Sequence, residues 1–179
     1  MHRDSKGFTL AELVVALGIV AIGLLLALPA LGAALQRNRT QGAYHLLISS
    51  LMSARSAAIT RRHPVSACPS SDGTSCRNDL VWDSGWIIFL DPQRTGTPAS
   101  AAAVLRRVQS PAEGIAIRST VGRHRVRFHT TGQSLGSNLS LRLCSRGDRL
   151  YLGRLIVSNT GRPRVERPPV AGAPCPYPL

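Results

Sequence analysis

Acidic side chains are scarce in this chain of 179 residues: nine Asp and Glu stand against 22 Lys and Arg, and all but one of the basic residues are arginine. The net charge is +13 although only 17% of the residues are charged. Codon composition can replace lysine by arginine, but it does not remove acids. Other absences exclude whole classes of chemistry. There is no Gly-rich phosphate loop, no pair of carboxylates suited to general acid–base work and no G-x-S-x-G nucleophile elbow. No C-x-x-C pair or His spacing points to zinc, and the five His are scattered. The expectation is therefore no catalytic residue, no metal and no cofactor: the chain is not read as an enzyme. A hydrophobic share of 44% excludes a disordered chain. The length suits one ordinary domain, or one with an appendage.

What is present is placed unevenly. Residues 1–7 carry +1, residues 8–117 carry +3, residues 118–167 carry +9 and residues 168–179 carry no charge. The basic stretch holds Arg118, Arg123, Arg125, Arg127, Arg142, Arg146, Arg149, Arg154, Arg162, Arg164 and Arg167 against only Asp148 and Glu166. At the other end, the 24 residues Leu13–Gln36 are uncharged and almost all apolar, more than the roughly 20 needed to cross a bilayer as a helix. That run is too long for the core of an ordinary cleaved signal, which spans about 7–15 residues. Glu12 stands directly before it, and a carboxylate at the end of a spanning helix calls for a partner.

The polar leader MHRDSKG ends in Gly7 and is followed by Phe8-Thr9-Leu10-Ala11-Glu12. This G-F-T-L-x-E run resembles the processing site of type IV pilins and type II secretion pseudopilins. The resemblance implies cleavage between Gly7 and Phe8 by a prepilin peptidase and methylation of Phe8. It also implies an assembly role in which the Glu12 carboxylate neutralises the Phe8 ammonium of a neighbouring pilin. It further implies a single-pass inner-membrane protein that moves into a surface pilus with its globular domain periplasmic or extracellular, and a helix break at Pro29. Two more stretches narrow the likeness to the FimT/GspH-type minor pilins, with the FimT branch favoured: WDSGWIIFLD at 82–91 and RLIVSNTGRPRV at 154–165.

The remaining pattern predicts an α+β fold, with one long helix packed on an antiparallel β-sheet domain. Tyr44, Leu47, Ile48, Leu51, Arg55, Ala58 and Ile59 follow helical spacing, broken only by Arg55, and Arg61-Arg62-His63-Pro64 ends the helix. Strand-length runs follow at 81–82, 86–90, 114–119, 123–130, 139–144 and 151–158, bounded by turn residues. The Ala-rich segment 97–107 reads as loop or short helix. The expected organisation is a leader at 1–7, a transmembrane helix at 8–36, a globular domain at 37–167 and an irregular Pro-rich tail at 168–179. Trp82, Trp86 and Phe89 suit the core behind the helix. Four cysteines allow three full pairings. Proximity and an exported setting favour Cys68–Cys76 and Cys144–Cys175, the second stapling the tail to a strand.

The arginines carry the functional expectation. Gly161 can adopt positive φ and close a tight turn that displays Arg162 and Arg164 on a segment stiffened by Pro163, with Arg167 beyond. The FimT resemblance implies that this Gly-Arg-x-Arg turn contacts DNA during natural transformation. Alternation places Arg123, Arg125 and Arg127 on one strand face, opposite His124, Val126 and Phe128. Arg146, Arg149 and Arg154 follow Cys144. Phe128 and Tyr151 are the only aromatics in 118–167, so base-stacking platforms are few and the expected partner is the phosphate backbone of duplex DNA, bound without sequence preference. The alternative is a structural minor pilin or pseudopilin that primes filament assembly without binding DNA.

Overall fold

The computed structural model describes Gly7, residues 9–109 and residues 113–178. Met1–Lys6 and Phe8, on which the leader and the methylation site fall, lie outside the described residues. The chain divides into two compact units, Met1–Asn38 and Arg39–Leu179. Helix α1 (Leu10–Arg61) supplies the first and opens the second. Its start is a capping box: the Thr9 hydroxyl accepts from the Glu12 N–H at 3.3 Å, and the Thr9 N–H donates back to the Glu12 carboxylate at 2.9 Å. The helix continues through Pro29, where a break was expected; proline removes one ladder bond without ending the helix. It is the one helix among the described residues long and apolar enough to cross a membrane. Arg62 turns left-handed at φ 55°, and Pro64 follows.

In the second unit, eight strands form two antiparallel sheets. One has the order β3-β2-β1-β5 and the other β4-β6-β7-β8. The ranges are β1 Val65–Pro69, β2 Gly85–Leu90, β3 Val104–Gln109, β4 Ile115–Ser119, β5 Val126–Phe128, β6 Leu139–Ser145, β7 Tyr151–Val157 and β8 Pro163–Glu166. The apolar residues of α1 that reach full burial are Ala43, Leu47, Leu51, Ala54 and Ala58, with Ser50 beside them. Their spacing of three and four makes one face, and three alanines in it let the sheets approach closely. Trp82, Trp86, Ile88, Phe128, Leu141 and Leu155 pack against that face. The stripe read from sequence is thus turned slightly off-centre: Ile59 remains 46% exposed. Phe89 is a correction. It alternates with Ile88 to the other side of β2 and packs with Cys68 and Ile87, so the continuous apolar run of β2 is buried on both faces.

Several expected elements change length or kind. Val81 makes only an isolated bridge to Arg118. The strand expected over 123–130 is reduced to β5. The Ala-rich segment becomes a 3-10 turn at Ala101–Ala103 followed by edge strand β3. Both disulfides form as expected, Cys68–Cys76 and Cys144–Cys175. In the first loop, the Ser75 hydroxyl and the Ser75 and Thr74 N–H groups hold the Asp72 carboxyl well below the ordinary carboxylate range. The tail after Pro168 has no regular structure but is docked. Tyr151 N–H donates to Ala173 O, Cys175 N–H to Arg149 O, and the Tyr177 hydroxyl to Ala116 O and Arg142 O.

Candidate functional site

Strands β7 and β8 are joined by a tight turn closed by a 2.8 Å bond from the Gly161 N–H to the Ser158 carbonyl. Gly161 sits at φ 74°, the left-handed position that completes such hairpins. Its fit is required twice, because a Cβ there would also collide with the Gly132 carbonyl oxygen. That same carbonyl accepts from Arg55 Nε at 3.0 Å, which explains the one charge in the apolar stripe of α1. Ser134 adds two bonds, its N–H to Asn159 O and its hydroxyl to Ser158 O. The turn is therefore fastened through residues 132–134 to the end of α1.

From this base Arg162, Arg164 and Arg167 are exposed. Arg162 ends the turn, while Arg164 is the second residue of edge strand β8, opposite Ile156. The Gly-Arg-x-Arg segment is thus half turn and half strand. Arg164 is also less free than expected: its Nη2 lies 3.0 Å from Glu166, whose carboxylate is shared with Arg154. Arg162 and Arg167 have no acid partner among the described residues.

The expected face of Arg123, Arg125 and Arg127 is corrected. Val126 and Phe128 do point inward, but Arg123 and Arg125 precede the strand. Arg127 Nε donates at 2.9 Å to Asp91, a carboxylate only 1% exposed that also accepts from the Ser66 hydroxyl and the Gly96 N–H. Arg125 donates to the carbonyls of Thr95 and Gly96, and Arg123 to that of Gly136. These arginines are not a free row on one strand face: Arg127 has a counter-ion, Arg123 and Arg125 spend donors on carbonyls, and together they tie β5 to the loops at 94–96 and 134–137. Arg146 is similarly engaged, sharing the buried Asp83 with Arg118. Arg149 is exposed at a left-handed position. The +9 counted along 118–167 overstates the local excess, because Asp83 and Asp91 fold in from far upstream.

Sequence reasoning passed over Arg142. It stands in register between Arg118 and Arg154 across β4, β6 and β7. The signal was available in the alternation of LSLRLC together with the pairing of Cys144 to the tail. Tyr177, held over this row, has its phenol pushed up chiefly by burial, against the opposing pull of Arg118, whose guanidinium lies 5.8 Å from the ring centre. Among the described residues no group of three His, Cys, Asp or Glu could hold a metal ion.

An apolar N-terminal helix whose later turns pack on two antiparallel sheets, with a basic hairpin at the far end of the chain, defines the class of pilin-like subunits. The model of the family described as type II transport protein GspH matches residues 43–161, and the prokaryotic N-terminal methylation motif matches residues 2–28. The chain belongs to the GspH family, within the FimT/GspH kind of minor pilins. No curated protein matches the sequence. The fold is similar to that of the type IV minor pilin FimU of Pseudomonas aeruginosa strain PAO1. The identity is 23% and the TM-score 0.58, over 73% of this chain and 90% of that one. A second crystal form of FimU aligns at 22% identity and TM-score 0.53, over 70% and 91% of the chains. The minor pseudopilin EpsH of the Vibrio cholerae type 2 secretion system aligns at 12% identity and TM-score 0.47, over 70% and 94%. The apolar helix and the methylation motif fit a membrane-anchored subunit that is later assembled into a filament.

Proposed function

We propose that this chain is a minor pilin of a type IV pilus that binds extracellular duplex DNA through its C-terminal arginines and supports DNA uptake in natural transformation. The observation that carries the reading is the β7–β8 hairpin held by Gly161, where Arg162 at the turn and Arg167 just past β8 stand exposed without acid partners among the described residues. A rigid display reduces the ordering lost when a guanidinium forks onto a phosphate. Arg164, exposed beside Glu166, and Arg149 enlarge the basic surface; Arg123, Arg125, Arg127, Arg146 and Arg154 contribute field while serving the fold. Assembly follows the route implied by the motif: cleavage after Gly7 by the prepilin peptidase at the inner membrane, then pairing of Glu12 with the Phe8 ammonium of an adjacent subunit.

The test is a gel-shift series with the full chain in detergent micelles and duplexes of unrelated sequence. Replacing Arg162 and Arg164 together with Gln weakens binding to every duplex alike, by about tenfold, and leaves the melting temperature unchanged. Unchanged affinity in the double variant contradicts the assignment of the turn. A second reading, a structural minor pilin or type II secretion pseudopilin, is favoured by the internal use of Arg118, Arg127, Arg146 and Arg154 in ion pairs. It predicts no binding even at low salt.

A further inference from the structure

Between the outer face of β6 and β7 and the docked tail lies an open cleft of about 530 Å³, lined by Arg142, Tyr151, Arg154, Glu166, Arg167 and Pro174 among others. Three arginines face one carboxylate across it, and that carboxylate is already shared by Arg154 and Arg164. Arg142 is anchored by its backbone carbonyl, which takes the Tyr177 hydroxyl, and its guanidinium lines the cleft, open to solvent, with no hydrogen-bond acceptor or ion-pair partner among the described residues. A guanidinium that faces a solvent-filled cleft with no acceptor of its own keeps its forked donors free for an anionic ligand. The wall opposite is held in place by the Cys144–Cys175 bond and the Leu150–Pro174 bridge.

We propose that this cleft is a pocket for a single phosphate monoester, the terminal phosphate of a DNA strand, and that it gives the protein a preference for phosphorylated ends. The inference rests on the DNA-binding reading and adds a separate site to it. The volume is that of a small-molecule site, whereas the major groove of a duplex is itself about 12 Å wide, so the body of the double helix stays outside. Charge favours an end over an internal linkage. A diester carries one negative charge, whereas a monoester carries about −1.5 to −2 and three acceptor oxygens. Arg142 on β6 and Arg154 on β7 are register partners, and Arg167 stands at the rim. This arrangement offers forked donors from more than one direction to one phosphate. Tyr151 and the prolines supply flat apolar surface for the adjoining sugar and base.

The experiment compares three probes on the full chain in micelles: a short duplex with 5′-phosphates, the same duplex with 5′-hydroxyls, and a closed circular plasmid. The phosphorylated duplex is expected to bind about tenfold more tightly than the hydroxyl form. Arg142→Gln erases that difference without changing plasmid affinity, and inorganic phosphate competes for the difference alone. Arg142→Lys, which keeps the charge, retains part of the preference, so a loss specific to Gln is not a folding defect. The Arg162→Gln/Arg164→Gln variant weakens all three probes and keeps the ratio. Equal binding of phosphorylated and hydroxyl ends by the wild type overturns the pocket and leaves the duplex reading standing. A preference that survives Arg142→Gln also overturns it. Loss of plasmid binding with the end preference intact overturns the duplex reading instead.

Discussion

Gly161 is held by two independent demands, a left-handed backbone and the absence of any side chain above the Gly132 carbonyl. Gly161→Ala meets both, and is expected to cost about 2–3 kcal/mol, with a fall of several degrees in melting temperature. DNA affinity should fall with it because Arg162 loses its platform; a variant of unchanged stability would show that the turn is not fixed as described. Asp91 presents a different case. The carboxylate is buried under Ser66, Gly96 and Arg127, so Asp91→Asn leaves the Arg127 guanidinium without its counter-ion at a site where its side chain is 22% exposed. The expected loss is about 2–3 kcal/mol in denaturant unfolding, below the range for a fully buried pair because water still reaches one partner. It follows that a DNA-binding defect in an Arg127 variant is to be judged beside its stability, whereas one in an Arg162 variant reports on contact.

Among the elements, the tail departs most from the ordinary idea of a Pro-rich terminus. It has no strand or helix, yet four hydrogen bonds to backbone carbonyls and one disulfide fasten it across β4, β6 and β7. Burial pushes the Tyr177 phenol above its ordinary value, so the folded state favours the neutral, donating form. The sign follows: the contact contributes fully below the unfolded value near pH 10, and is lost as pH rises through the higher folded value. Tyr177→Phe should therefore cost about 1 kcal/mol at neutral pH and flatten the loss of stability that sets in above about pH 10. An alkaline profile identical to that of the wild type would contradict this account of the tail. Legibility differed by element for physical reasons. The membrane helix, β2, β4, β6 and β7 announce themselves through composition and alternation. Strand β1 (VSACP) is buried at every position and shows no alternation, β3 follows an alanine run, and β8 begins on proline at an edge where no N–H is needed. The turn at Gly161 was readable because glycine at that point has few alternatives. The partners of Arg127 and Arg146 were not, since Asp91 and Asp83 lie 36 and 63 residues away in the chain.

At the scale of the molecule, the +13 divides into a basic leader, an uncharged helix and a domain whose arginines do two kinds of work. Some are absorbed by acids and carbonyls and hold loops to the sheets. Others, at the β7–β8 turn, remain available to an anionic partner. Such a partner, if it is the DNA backbone, releases counterions on binding, so the logarithm of affinity falls linearly with the logarithm of salt. The measurement that tests this most directly is a fluorescence-anisotropy titration of the full chain in micelles against random-sequence duplex over a series of salt concentrations. The account predicts binding at low salt with a steep slope, reduced by about 2 when Arg162 and Arg164 are both replaced by Gln. Absence of binding at low salt, or a slope that the double replacement does not change, would contradict it.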